Sequence, residues 1–219
     1  MALDNSYHCL GQAFIKVATI NIRVETKKDS LNPWNNRKWV LYDFVRSQSL
    51  DIICMQEVLK KQYNEICGEL SDYSSVGETR KRNGEMVPVF YKDEKFECLD
   101  FGTFWLSNFP DSIGSVGWDA RHSRIATWVI LKVKDTNMEC LVINTHLDHV
   151  GKVARQKGME LIKKKSNEIA SMRPIILTGD MNCSPQSSPY LIALEYEFPM
   201  FDSYESAEKK DVVSYTYNR

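Results

Sequence analysis

Apolar runs with the period of a strand alternate along this chain with segments of helical period. Residues 14–22 and residues 51–56 are typical of strands, and the second run is typical of a buried strand that ends at Glu57. Between them, apolar residues at helical spacing predict a helix with one buried face over residues 37–48. Such alternation indicates a layered α/β or α+β domain.

The same alternation continues through the rest of the chain. Helical spacing returns over residues 59–70, and a loop with the basic run Arg80-Lys81-Arg82 is expected over Gly77–Gly84. Further strands are expected at residues 86–92, 96–99, 125–133, 140–144 and 175–177, and a further helix at residues 150–169. Pro88 places the first of these strands at a sheet edge or delays its start, because proline lacks the N–H that a strand ladder needs.

Polar side chains follow three of the predicted strands at the point where each one ends. Asn21 closes the first strand, Glu57 follows the second, and Asp180 with Asn182 follows the strand at residues 175–177. In α/β folds, ligands usually bind at such carboxyl ends of strands. Taken singly, each residue is explained as well by an ordinary turn or helix start. Their common position marks them as candidates for metal or phosphate binding.

A histidine, His146, lies at the end of the strand predicted over residues 140–144. With Asp148 nearby, it is able to bind metal, contact phosphate or carry a proton. A surface histidine stabilised by its neighbours is the alternative. A zinc site would need further histidine or cysteine ligands, and no second group stands at a suitable spacing, so we do not predict zinc.

The composition is that of an ordinary globular domain, and it limits the partners. The chain has 28 Lys and Arg residues against 29 Asp and Glu residues, a net charge of −1. No bulk positive field therefore attracts nucleic acid or an anionic membrane, and any polyanion site must be local. Six cysteines without a CxxC pair do not suggest a disulfide framework. Without a secretory signal or a membrane-length apolar run in the sequence, we expect an intracellular protein, cytoplasmic or nuclear, with no membrane partner.

Taken in order, five segments resemble the endonuclease/exonuclease/phosphatase superfamily and, within it, the metal-dependent hydrolases near the deadenylase-like proteins. They are ATINIR, CMQEV, the block Phe104–Trp128, INTHLDH and ILTGDMN, which together extend from about residue 14 to residue 190. The resemblance implies an α/β fold of the DNase I type: a four-layered sandwich in which two mixed β-sheets pack face to face with helices outside. It also implies an N-terminal extension over residues 1–13 and a single domain over residues 14–219.

The resemblance further implies a Mg²⁺-dependent phosphohydrolase, with Mn²⁺ as an alternative ion. Glu57 and Asn21 match the residues that position the metal. His146 matches a residue that contacts the scissile phosphate, Asp180 one that activates the attacking water, and Asn182 one that binds phosphate. Mg²⁺ suits Glu57 because this ion prefers oxygen ligands and is commonly held by one or two carboxylates.

Three further residues are candidates for binding the phosphate or the rest of the substrate. They are Arg124, Asn144 and Asp148. Arg124 precedes a predicted strand and would add a positive charge to the phosphate site; a structural salt bridge is the alternative.

One part of the superfamily pattern is not found in this sequence. The superfamily ends with a strand that carries an Asp-His pair, whereas the last segment here, Ser214–Arg219, resembles the stretch before the final two strands. If the protein ends there, we expect severely impaired catalysis and uncovered sheet edges. The alternative is that the sequence is part of a longer protein.

These features support three hypotheses about function. The first is a Mg²⁺-dependent phosphodiesterase that acts on RNA or another nucleotide-containing substrate in the manner of an exonuclease or deadenylase, with the run Arg80-Lys81-Arg82 as candidate backbone contacts. The second is a phosphatase of a small phosphoester, such as an inositol phosphate, a nucleotide or a sugar phosphate, which the near-neutral charge favours. The third is a binding domain without catalytic activity, suggested by the missing Asp-His pair.

Overall fold

The helices and strands of this chain alternate much as the sequence predicts. A computed structural model describes residues 14–29, 32–195, 198–208 and 210; the expected extension over residues 1–13 and the segment Ser214–Arg219 lie outside this described part. In chain order the elements are β1 (Val17–Asn21), α1 (Trp34–Gln48), β2 (Ile52–Gln56), α2 (Lys60–Glu69), β3 (Tyr73–Val76), β4 (Val89–Lys92), β5 (Phe96–Trp105), β6 (Ile125–Val133), β7 (Glu139–His146), α3 (Lys152–Ala170), β8 (Ile175–Asp180), α4 (Ser188–Glu195) and α5 (Ser203–Ser206).

The strands form two sheets of four, and both sheets are mixed. The first sheet has the order β1-β2-β4-β3, in which β1 and β2 are parallel and the other pairs are antiparallel. The second has the order β5-β6-β7-β8, antiparallel except for the pair β7 and β8. Each sheet therefore has one parallel pair at an edge, and these two pairs face each other across the interior.

Side chains alternate between the two faces of each strand, and this alternation builds four layers. On β2, Ile52 and Cys54 point into the core between the sheets, where they meet Val142 of the second sheet. Ile53 and Met55 point the other way, into the core beneath α1 and α2. On the far side, the second sheet packs against α3. The predicted four-layered α/β sandwich is confirmed.

The outer helices each turn one apolar face toward a sheet. In α1 the buried residues are Trp34, Tyr42 and Val45, and in α3 they include Met159 and Ile162. Helical spacing of apolar residues predicts both helices, but the buried faces differ in part from that pattern, since Phe44 of α1 and Val153 of α3 are exposed. Within the described ranges, no helix is both long enough and apolar enough to cross a membrane.

Several elements differ from the sequence prediction, each for a local reason. β5 runs on to Trp105, because a register shift between Cys98 and Asp100 interrupts the apolar alternation that marks a strand. The pattern does not predict β3, whose sequence YSSV has two serines at its centre and one buried side chain. The short helices α4 and α5 are likewise not predicted. β4 starts directly after Pro88, as the missing proline N–H requires.

Candidate functional site

Four strand ends meet at one edge of the cleft between the two sheets. The strands are β1, β2, β7 and β8, the two parallel pairs that face each other. Asn21, His146 and Asp180 are the last residues of three of them, and Glu57 directly follows the fourth. Asn182 lies in the turn after Asp180. The structure thus brings five of the predicted site residues together, although they are far apart in the sequence.

Asn21 joins the two carboxylates of the site. Its Nδ2 donates to Oε1 of Glu57 and to Oδ2 of Asp180, both at 2.9 Å. Its Oδ1 accepts the backbone N–H of Arg23 (2.9 Å), and the second oxygen of Glu57 accepts that of Val24 (2.9 Å). Two carboxylates that would otherwise repel each other are held side by side. Each retains lone pairs for a cation.

Three non-glycine residues adopt a left-handed backbone just after these strand ends. The φ angles are 57° at Arg23, 61° at Glu57 and 45° at Asn182. Such conformations cost about 1–2 kcal/mol each, and they persist where the surrounding contacts hold them, commonly at functional sites. At Asn182 the contacts are its backbone N–H, which donates to Oδ1 of Asp180 (3.0 Å), and its Nδ2, which donates to the carbonyl of Leu147 (2.9 Å). The left-handed residues thus turn the backbone at the strand ends where the side chains of the site lie.

Gly179 allows β7 and β8 to approach closely beside the site. Its φ is 147°, and a Cβ there would lie 2.3 Å from the carbonyl oxygen of Thr145. The register of the two strands then pairs His146 with Asp180. Nε2 of His146 lies 3.7 Å from Oδ2 of Asp180.

His146 is a buried and neutral histidine. Burial and the Arg124 cation lower its pKa to about 4, and Asp180 and Glu57 oppose this shift only in part. The imidazole is therefore uncharged near neutral pH and acts as a neutral hydrogen-bonding group. Its Nδ1 is buried and finds no hydrogen-bond partner among the residues described.

Arg124 is held beside His146 by the buried carboxylate of Asp148. Nε of Arg124 lies 3.5 Å from one oxygen of Asp148; the other oxygen accepts the N–H groups of Val150 (2.9 Å) and Gly151 (2.8 Å). Burial tends to raise the pKa of Asp148, but these backbone N–H groups outweigh it, and the pKa lies well below its usual range. Both oxygens of Asp148 thus accept from Arg124 or from the backbone, which makes it a positioning residue for Arg124; its expected part in substrate binding stays a prediction.

Asn144 lies in β7, two residues before His146, and the hydrogen bonds of its side chain go to other groups of the protein. Its Nδ2 donates to the carbonyl oxygens of Met55 (2.8 Å) and Pro88 (2.9 Å), and its Oδ1 accepts from Nε2 of Gln56 (2.7 Å). The side chain is fully buried. The polar atoms of Asn144 thus join the two sheets, and its expected part in binding phosphate or substrate stays a prediction.

Arg80 lies beside His146 and Arg124, although the sequence alone does not distinguish it from its basic neighbours Lys81 and Arg82. It is buried, whereas Lys81 and Arg82 are exposed. Together with Arg124 and His146, it lines a small cavity. Three adjacent basic residues look alike in the sequence, and the burial of one of them depends on contacts with distant strands.

The carboxylates suit a Mg²⁺ ion. No group of three or more His, Cys, Asp or Glu side chains arranged for a metal occurs in the described part of the chain. Mg²⁺ does not need one, since it commonly takes one or two carboxylates, keeps several waters and binds substrate phosphate oxygens. Glu57 supplies such a carboxylate, Asp180 lies beside it, and Asn21 orients both. Mn²⁺ accepts the same oxygen ligands.

Solved structures are similar to this chain over most of its length. An endonuclease/exonuclease/phosphatase from Bacteroides vulgatus is 42% identical, with a TM-score of 0.86 over 89% of this chain and 76% of that one. A mannosyl-6-phosphatase from Bacteroides thetaiotaomicron is 35% identical, with a TM-score of 0.79 over 82% of this chain and 69% of that one. These similarities extend across both sheets.

A curated relative is similar over about half of the chain. The 3′-5′-exoribonuclease subunit Ccr4 of the CCR4-Not complex from Aspergillus fumigatus is 31% identical over an alignment of 137 residues, which covers 52% of this chain and 19% of that protein. The chain spans between about a fifth and about two thirds of the length of the curated relatives that it matches.

A family model covers the strand ends that build the site. It is described as the Endonuclease/Exonuclease/phosphatase family and matches residues 18–200. The match includes Asn21, Glu57, His146, Asp180 and Asn182, the residues that the structure brings together. This chain belongs to the endonuclease/exonuclease/phosphatase family.

Proposed function

We propose that this chain carries the active site of a divalent-metal-dependent phosphoesterase, with Mg²⁺ or Mn²⁺ as the ion. The arrangement around Asn21 carries the proposal, since its amide holds Glu57 and Asp180 side by side next to His146. Oxygen ligands for a hard cation thus lie beside groups that hydrogen-bond phosphate. Such a combination favours hydrolysis of a phosphate ester.

Glu57 and Asp180 have different roles in this proposal. Glu57 would hold the ion, which when bound neutralises charge on the phosphoryl oxygens. Asp180 orients the attacking water and accepts its proton, a role that requires a distance of about 2.6–3.2 Å to that water. Asn21 keeps both carboxylates in place, and the N–H of Asn182 fixes the second oxygen of Asp180.

The phosphate is bound by neutral and cationic donors. His146 is uncharged and donates a hydrogen bond to a phosphoryl oxygen. Asn182 donates one amide hydrogen to Leu147 and keeps the other for phosphate. Arg124, oriented by Asp148, supplies a positive charge nearby.

For the substrate we place a small phosphoester first, and among these a sugar phosphate. The similarity to the Bacteroides mannosyl-6-phosphatase supports this choice, because it extends over 82% of the chain at 35% identity. The net charge of −1 also supports it, since a long polyanion would find no bulk positive field.

RNA or another nucleotide-containing substrate is the second candidate. It is supported by the 31% identity to an exoribonuclease subunit over 137 residues. The exposed side chains of Lys81 and Arg82 would then offer contacts to a nucleic-acid backbone. This candidate predicts stepwise release of nucleotides from a 3′ end.

Hydrolysis assays with the chain and its Glu57→Gln variant test the proposal. Initial rates in Mg²⁺ are measured on mannose 6-phosphate and on an oligoadenylate. We expect turnover of the sugar phosphate, its loss in Glu57→Gln, and unchanged turnover in Glu94→Gln, which alters an exposed glutamate in the same way. Turnover of the oligoadenylate alone would instead support the second candidate.

Calorimetric titration with Mg²⁺ separates the remaining outcomes. Mg²⁺ binding that is lost in Glu57→Gln supports the metal site. If such binding occurs without turnover of either substrate, the hydrolytic part of the proposal is wrong. If neither binding nor turnover occurs, the whole proposal is wrong, and a binding domain without catalytic activity is favoured.

A further inference from the structure

We propose that Arg80 is a substrate-binding residue that forms, with Arg124 and His146, an oxyanion pocket for the terminal phosphate of a phosphomonoester. The inference rests on the proposed function and specifies what its site accepts. Arg80 lies in the loop between β3 and β4, away from the strand ends that carry the carboxylates. It therefore adds a separate group to the site.

The backbone of Arg80 is fixed on several sides. Its carbonyl oxygen accepts from Nε1 of Trp105 (2.7 Å) and Oγ of Ser123 (3.3 Å), and its N–H donates to the carbonyl of Glu85 (2.9 Å). Its side chain packs on Gly84, where a Cβ would come within 2.9 Å of Cγ of Arg80. A side chain held in this way loses little further freedom when it binds an anion.

Two buried polar atoms around the cavity lack a hydrogen-bond partner among the described residues. They are Nε of Arg80 and Nδ1 of His146. Buried polar atoms are nearly always paired, so an unpaired one indicates a ligand or a water that completes the site. The Nε–H of arginine is a donor only, so its partner must be an acceptor. The cavity has a volume of about 10 Å³, which is room for one oxygen of a phosphate.

The charges around the cavity favour an anion. Burial and the neighbouring Arg80 cation both lower the pKa of Arg124, so the two guanidinium groups are close enough to repel each other. Glu85 accepts from one Nη of Arg80 (3.0 Å), and Asp148 pairs with Arg124. Each carboxylate orients its arginine, and a second nitrogen of Arg124, Nη2, lies 3.1 Å from Nδ1 of His149. Each guanidinium group has five N–H donors, so both retain donors for an anion. An oxyanion between the two cations would relieve their repulsion.

The donors in this pocket match a terminal phosphate better than a phosphodiester linkage. A phosphomonoester carries a charge of about −1.5 to −2 near pH 7 and three acceptor oxygens. A diester carries a single negative charge and one fewer free oxygen. Two arginines and a histidine converge on the one oxygen that the cavity admits, and charge-assisted hydrogen bonds to it are stronger when that oxygen carries more negative charge. We therefore expect selectivity for phosphomonoesters.

Calorimetric titration with inorganic phosphate in the presence of Mg²⁺ tests the inference. We expect Arg80→Gln to weaken phosphate binding about tenfold or more, the effect of losing a charge-assisted hydrogen bond. Arg46→Gln removes the same charge from an exposed position in α1, away from the site, and it should change the affinity by less than about twofold. Dimethyl phosphate, a diester anion, should bind the unmodified chain more weakly than inorganic phosphate does.

Three results would overturn the inference. They are equal phosphate affinities of the unmodified chain and Arg80→Gln, an equal loss in Arg46→Gln, and dimethyl phosphate binding as tightly as phosphate. If Arg80→Gln does not fold, Arg80→Lys keeps the charge and is expected to lose part of the affinity, because lysine lacks the Nε donor. Mg²⁺ binding that depends on Glu57 is measured in the same samples. If it persists while Arg80 has no effect, the inference fails and the proposed function stands.

Discussion

Nε2 of Gln56 on the first sheet donates a 2.7 Å hydrogen bond to Oδ1 of Asn144 on the second. Both side chains are almost fully buried. Gln56 directly precedes Glu57, and Asn144 stands two residues before His146 on the same face of its strand. Asn144 also donates to the carbonyl of Met55 in β2. These bonds hold the strand that carries Glu57 against the strand that carries His146.

Replacing Asn144 with aspartate should destabilise the fold. Aspartate keeps the shape and still accepts from Gln56, but it cannot donate to the buried carbonyls of Met55 and Pro88. We expect the free energy of unfolding to fall by about 3 kcal/mol, measured by urea denaturation. The same substitution at the exposed Asn35 should change it by less than about 0.5 kcal/mol. Equal effects at the two positions would contradict the role of Asn144 as a link between the sheets.

Replacing Gly179 with alanine should disturb both stability and the site. The added Cβ would meet the carbonyl oxygen of Thr145 at 2.3 Å, and the φ of 147° is unfavourable for alanine. We expect a loss of about 2–4 kcal/mol in the free energy of unfolding, because the two strands must separate. Gly68→Ala is the matched control, since nothing lies within 4 Å of its Cβ in α2. A helical alanine there should stabilise by about 0.5–1 kcal/mol.

Replacing Asn21 with alanine should weaken metal binding without removing a carboxylate. The amide of Asn21 holds Glu57 and Asp180 together at 2.9 Å each. Loss of a residue that orients metal ligands typically costs about 10–100-fold in affinity. We expect a decrease of this size in the calorimetric affinity for Mg²⁺, whereas Asn35→Ala should have no effect. An unchanged affinity in Asn21→Ala would show that the carboxylates are organised by other contacts.

The stability contributed by Asp148 should depend on pH. Backbone N–H groups and Arg124 hold its pKa below the unfolded value, which is about 3.9. The carboxylate therefore contributes stability that is fully present above that value and is lost as the pH falls below it. Asp148→Asn lacks this contribution at every pH. Its deficit against the unmodified chain in urea unfolding should be largest near neutral pH and shrink toward about pH 3. A deficit that does not change with pH would contradict the assignment.

The convergence of the site residues could be predicted from the sequence. Asn21, Glu57, His146 and Asp180 each close or follow an apolar run, which is where ligands usually bind in an α/β fold. The strand pattern therefore indicated the candidate residues. The resemblance to the superfamily, and not the strand pattern, implied that they share one site, because they lie on two different sheets. The failures of the strand pattern, such as the length of β5, occur where a register shift breaks the local pattern.

The roles of individual polar residues could not be predicted in the same way. Asn144 resembles Asn182 in the sequence, since both are asparagines close to a strand end. Asn144, however, is buried between the two sheets, and all polar atoms of its amide form hydrogen bonds with the protein there. Asp148 likewise resembles Asp180, but its oxygens are committed to backbone N–H groups and Arg124.

Apart from β3, α4 and α5, the sequence by itself determined the order of strands and helices, because these follow from local periods of two and about 3.6 residues. It also determined which polar residues stand at the ends of the strands. Only the tertiary structure decided which polar side chains are buried, which groups they bond and which of three adjacent basic residues reaches the site. Arg80 is buried by Trp105 and Ser123, which lie more than twenty residues further along the chain. Burial is set by contacts between distant segments, and no local pattern records them.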